Sequence, residues 1–159
     1  MARKITPTHV LLNQIELSSS ASSVTFSNIP QGYGDLVLVC CFTTTGSNNQ
    51  TIYFNSDTTG GNYTGVYMRG TGSAANSGAT GQYISTTPGS QVQLSINIMD
   101  FSASDKHTTY ISRADNASNQ VVARAMRWSN TAAVTSVLFA CDSNAFATNS
   151  TFSLYGVYA

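Results

Sequence analysis

At 159 residues, with 42% apolar residues, only 9% charged residues and a formal charge of zero, the chain has material for one core and a composition unlike that of disordered segments. Neutrality leaves no basic field to draw in a phosphate backbone or an anionic bilayer surface, so nucleic acid and membrane are not expected partners. No apolar run approaches the ~20 residues of a spanning helix, and the short apolar stretch behind Arg3 and Lys4 stops at Asn13, too soon for a secretion signal.

In chain order, residues 1–9 read as an extended arm carrying Arg3, Lys4, Ile5, Pro7 and His9, and residues 10–159 as a single β-sandwich domain. β pattern begins over 9–17 and continues over 23–26, with the serine-rich turn 18–22 between them. Asn28, Pro30, Gly32 and Gly34 then lead into LVLVCCF at 36–42, the longest apolar run. It is too short for a helix and reads as a central strand buried on both faces. Strands follow at 50–55 and 62–69, joined by the turn NSDTTGGN. Residues 70–81, GTGSAANSGATG, contain nothing apolar larger than Ala and read as an exposed loop.

Residues 83–85 and 90–101 resume the pattern, and Val92, Leu94, Ile96 and Ile98 alternate with Gln93, Ser95 and Asn97 more cleanly than any other stretch. Strands at 106–114, 120–129, 133–141 and 151–158 complete the chain, with RADNASNQ and SNTAA as turns. About ten short strands at this spacing, with no helical period, define an all-β fold, expected to be a jelly-roll-like sandwich of antiparallel strands with long polar loops.

Candidate chemistry is sparse. His9 and His107 are the only histidines, and neither has a neighbouring nucleophile or orienting group in the pattern a catalytic site requires, so no enzyme is expected. Cys40 and Cys41 point to opposite faces of one strand and Cys141 lies on another, which leaves at most one disulfide open. No CxxC pair or histidine cluster suggests zinc. Asn55 and Asp57 in NSDTTGGN suit a turn held by side-chain bonds to backbone, whereas a calcium site needs six to eight oxygens. No cofactor or metal is expected. Tyr63, Tyr67, Tyr83 and Trp128 fit either a sugar-stacking platform or rings at the margin of the core or a subunit interface. Low charge also favours self-association.

Four phrases, SSVTFSNIPQGYGDLVLVC (22–40), YFNSDTTGGNYTGVYMRGTGS (53–73), DKHTTYISRADNAS (105–118) and the ending TAAVTSVLFACDSNAFATNSTFSLYGVYA (131–159), resemble a family of tailed-bacteriophage virion proteins. The turn NSDTTGGNY is similar to that family's FNGDTGxNY, with a one-residue difference in its glycine-rich part. The resemblance implies a non-enzymatic capsid decoration, or cement, protein on the virion surface, made in the host bacterial cytoplasm. It also implies the major capsid protein and further copies of the chain, as a homotrimer, for partners. Related tail and fibre modules give the alternative: recognition of host-surface polysaccharide through 70–81, Tyr67 and Tyr83.

Overall fold

The computed structural model describes residues 7–88, 91–116 and 120–158. Arg3, Lys4 and Ile5 of the expected arm, the first residue of the expected strand 90–101 and part of the expected turn 113–120 lie outside the described residues. Twelve strands make up the fold: β1 (His9–Glu16), β2 (Ser23–Phe26), β3 (Asp35–Phe42), β4 (Ser47–Phe54), β5 (Tyr63–Gly70), β6 (Ala75–Thr80), β7 (Tyr83–Pro88), β8 (Val92–Met99), β9 (Thr108–Asn116), β10 (Gln120–Trp128), β11 (Val137–Cys141) and β12 (Thr151–Val157). One sheet has eight strands in the order β1-β12-β3-β8-β9-β10-β5-β6, and the other four in the order β2-β11-β4-β7. Every pairing is antiparallel. The protein is a jelly-roll-like β-sandwich, as its alternating short strands imply.

Period-two patterning decides which side chains meet between the sheets. Leu36, Leu38, Cys40 and Phe42 of β3 and Val92, Leu94, Ile96 and Ile98 of β8 form adjoining buried rows. Val24, Phe26, Ile52, Phe54, Val137 and Phe139 of the smaller sheet face them. Aromatic rings concentrate at two places. Phe42, Phe139, Phe146 and Phe152 pack with centroids 5.0–6.2 Å apart, and Phe54 contacts Tyr63, Tyr110 and Trp128 at 5.2–6.3 Å. Both clusters join the two sheets and favour the offset and edge-to-face geometries of π systems.

Four expectations are corrected. β3 is buried on one face only, because Val37 and Cys41 are half-buried and Val39 is exposed on the outer side. Residues 75–80 of the expected loop form strand β6, paired with β5 from Gly65↔Thr80 to Gly70↔Ala75. Backbone hydrogen bonds hold that strand, so it needs no large apolar side chain. The expected strand 133–141 begins only at Val137, after a segment that crosses between sheets. His9 opens β1, opposite Val157, and therefore belongs to the sheet rather than to a free arm; Pro7 is exposed just before it.

The turn after β4 fastens one end of the sandwich. Asn55 and Ser56 take φ of 52° and 61°, and Asp57 N–H bonds back to Phe54 C=O at 2.9 Å. Paired left-handed residues at the centre are the signature of a type I′ turn. Asp57 accepts from Trp128 Nε1 at 2.8 Å, Asn62 Nδ2 at 2.8 Å and Thr59 N–H at 3.1 Å. The Tyr63 hydroxyl donates to Asp57 C=O and accepts from Phe54 N–H, both at 2.9 Å. Asn55 Oδ1 accepts from Thr135 N–H at 2.8 Å and Ser136 N–H at 3.2 Å. Donors surround the oxygens that a calcium site would use, and the turn is a structural knot.

The indole N–H of Trp128, followed by the Asn62 amide and Thr59, holds the Asp57 carboxyl below its usual range. A depressed folded-state pKa adds stability above the ordinary aspartate value, and this is lost as pH falls through the folded value. Asp57→Ala strands the buried indole N–H and is expected to cost about 1–3 kcal/mol in denaturant unfolding. Asp57→Asn should flatten the acid limb of the stability profile, and an unchanged limb would show that the carboxylate contributes nothing to it.

Candidate functional site

Beyond β7 the smaller sheet no longer covers the inner face of the larger one, and a cleft of about 180 Å³ opens there. Its floor comes from β10, where Val122, Arg124, Met126 and Trp128 share the inward parity. Three of these four are apolar, and the exception, Arg124, is 7% exposed. Arg124 lies opposite Tyr67 of β5 and Ser112 of β9, with its Cζ 5.8 Å from the Tyr67 ring centroid. The guanidinium gains a cation–π contact there, but Nε and Nη1 have no hydrogen-bond partner among the described residues. Ser112 donates its hydroxyl to Ile84 C=O at 3.2 Å.

A second cation, Arg69, enters the cleft from β5, and its Nε donates to Asn76 of β6 at 3.1 Å. Asn49, Thr80, Tyr83 and Gln120 complete the polar lining, and no acidic residue takes part. Burial pulls Arg124 down to about 10, and the charge of Arg69 acts in the same direction; the group stays cationic at neutral pH. Gly78 underlies Tyr67, and a Cβ there would lie 3.2 Å from Cε1 of the ring, so the glycine lets the tyrosine settle against β6.

On the opposite side, the large sheet presents an uncovered face. Across seven strands the outward residues run Ala79, Val66, Ala125, Ile111, Asn97, Val37, Tyr155. The next row runs Ser77, Met68, Ala123, Arg113, Ser95, Val39, Ser153. Val66 and Met68 are 58% and 67% exposed, and Ile111 and Val121 about half exposed. Arg113 and Asp115 of β9 and Arg127 of β10 carry the charge in its β5–β10 part.

No family model and no curated protein sequence matches the chain. Among solved structures it is similar to an exo-inulinase from Aspergillus awamori at 10% identity and TM-score 0.45, covering 94% of this chain and 29% of that one. The Caenorhabditis elegans galectin LEC-6 matches at 7% identity and TM-score 0.38, covering 92% and 96%. The Tobacco streak virus coat protein matches at 8% identity and TM-score 0.26, covering 99% and 91%. These likenesses concern the strand layout alone.

The structure separates the four aromatic candidates into two pairs. Tyr67 and Tyr83 both line the arginine cleft. Tyr63 and Trp128, at 1% and 0% exposure, belong to the core and cannot form an exposed platform; their polar atoms are satisfied around Asp57. Neither histidine lines the cleft, and His107 is an exposed residue just before β9. All three cysteines are free thiols, and burial pushes Cys141 up to about 12 and Cys40 well above its ordinary value. Among the described residues no three His, Cys, Asp or Glu side chains gather as metal ligands.

Arg124 was missed in the sequence, although VVARAMRW carries the signal: one charged residue at the parity of three apolar ones. An unpaired buried cation lowers stability. Arg124→Met, which keeps the packing stem and removes the charge, is expected to raise stability by about 1 kcal/mol or more in urea unfolding; a clear loss would make Arg124 a structural residue.

Proposed function

We propose that the chain is a non-enzymatic structural protein of a tailed-bacteriophage virion, a decoration protein that binds the head shell as an oligomer and stabilises it. The observation that carries this reading is the broad, weakly charged outer face of the eight-stranded sheet. Eight strands ~4.8 Å apart and about six residues deep give a face of roughly 34 by 20 Å. That is comparable to the ~800 Å² each partner contributes to a standard interface. Within this face the exposed apolar side chains Val66, Met68, Ile111 and Val121 gather on β5, β10 and β9, and exposed apolar groups clustered in this way mark an interaction site. Covering Val66, Met68, Ile111 and Val121 would remove apolar surface from water at roughly 25 cal/mol per Å², offset in part by the entropy of association.

In this account the face joins copies of the chain, a trimer being the expected assembly, and the segment preceding β1 reaches the major capsid protein. β1 is an edge strand, and exposed Pro7 just before it stands at the rim of the domain; the arm residues Arg3, Lys4 and Ile5 are the proposed contacts with the capsid. Several arms in one oligomer act at high effective concentration, and modest individual contacts then suffice to clamp neighbouring capsomers. The resemblance of the four phrases to tailed-phage virion proteins supports the same assignment. A second reading, a tail or fibre module for host polysaccharide, is favoured by one observation: Tyr67 and Tyr83 meet in a cleft with two arginines.

Two variants test the structural role. Val66→Glu with Met68→Glu should convert the oligomer to monomer in analytical ultracentrifugation while circular dichroism stays unchanged; an oligomer that persists would remove the face from the account. Deleting residues 1–7 should abolish attachment to particles stripped of this protein and leave thermal unfolding unchanged, since β1 begins at His9 and substitutions away from the packed elements change stability little. Full attachment of the truncated chain would eliminate the arm.

A further inference from the structure

The arginine cleft holds buried donors that the described residues of the sandwich do not satisfy. Arg124 is nine-tenths buried, with three N–H hydrogens on Nε and Nη1 that meet no acceptor, whereas buried donors in folded proteins are almost always satisfied. Arg69 adds a second positive charge and the lining contains no carboxylate, so the cleft is a focused cationic field inside a neutral protein. An anion satisfies both needs.

The donor layout narrows its chemistry. Nε–H and the Nη1 hydrogens point in different directions around the guanidinium plane, so one carboxylate leaves donors over, and further acceptors such as hydroxyl or ring oxygens are needed beside it. Amide and hydroxyl side chains, from Asn49, Gln120, Thr80 and Tyr83, stand around that position and suit a polyhydroxylated ligand. A volume of about 180 Å³ matches roughly six waters at ~30 Å³ each, room for a single small ring. Tyr67, seated over Gly78 and against Arg124, holds the guanidinium in place before binding, which lowers the ordering cost. A phosphodiester strand would instead need a continuous basic groove, which two arginines do not make.

We propose that this cleft binds an acidic sugar, a pyranose bearing a carboxylate, with Arg124 as the anion anchor and Arg69, Tyr67 and Tyr83 around the ring. The sugar part rests on the polysaccharide reading; the anion requirement rests on the orphaned donors of Arg124 alone.

The test is calorimetric titration of the full chain with methyl glucuronide, methyl glucoside, acetate and inorganic phosphate. Methyl glucuronide should bind at least tenfold more tightly than each of the other three. Arg124→Met should weaken it tenfold or more with the fold intact by circular dichroism. Should that variant misfold, Arg69→Gln and Tyr83→Ala, at the half-exposed rim, replace it and should each weaken binding several-fold. Equal affinity for methyl glucoside, or for phosphate, overturns the acidic-sugar assignment, as does heat from none of the four. Undiminished binding of methyl glucuronide by a folded Arg124→Met variant would overturn the anion site, whether or not the chain also binds a neutral bacterial polysaccharide.

Discussion

Eight strands are packed against four, and that mismatch governs the rest of the molecule. A four-stranded sheet can cover only part of the inner face of an eight-stranded one, so the core is dense where the Phe42 and Phe54 clusters bridge the layers and ends past β7. Segments between strands close the remainder: Phe146 bridges to Ala21 and Thr44 and fills the space beside Phe42 and Phe152. At the β5–β6 end the described residues supply no such plug. Tyr67 and Arg69 are consequently half-buried, although Tyr63 on the same face of β5 is fully buried, and Arg124 lies at the boundary between the two conditions. The outer face follows from the same imbalance, because none of the described residues covers Val66, Met68, Ile111 or Val121 there.

The Asp57 knot shows how such a sandwich can be fastened with little charge. A single carboxylate collects three N–H donors from residues 59, 62 and 128, and the adjacent Asn55 ties the turn to the segment before β11. Two large aromatic residues can therefore be buried to the last per cent with their polar atoms satisfied. Arg124 is the counterexample within the same strand as Trp128. One polar group is met by the fold, and the other finds no partner among the described residues.

Much of the fold was legible because alternation in a strand reports directly on its inward face. β8 and the inward residues of β3 read correctly for that reason. The outward side of LVLVCCF was misread because an unbroken apolar run looks the same whether its second face meets a core or only an uncovered sheet surface. β6 escaped notice because an edge strand of Ala, Asn, Ser, Gly and Thr is held by its backbone pairing to β5, which leaves no trace in hydrophobic pattern. Tyr63 and Trp128 looked like platform residues because their common acceptor, Asp57, is distant from Trp128 in the chain and joined to it only by the fold. The cleft was half legible: Tyr67 and Tyr83 stood out as aromatics beside a polar stretch, while the decisive Arg124 needed the parity of β10 to be read with care.

The proposal is that this sandwich is a shell component joined to further copies through its open sheet face and to the shell through the segment before β1. Its most direct test is the copy number of the chain in purified particles, relative to the major capsid protein, by quantitative peptide mass spectrometry. The account predicts a fixed, high ratio to the major capsid protein. A count that follows the few tail proteins, or absence from the particle, would contradict it.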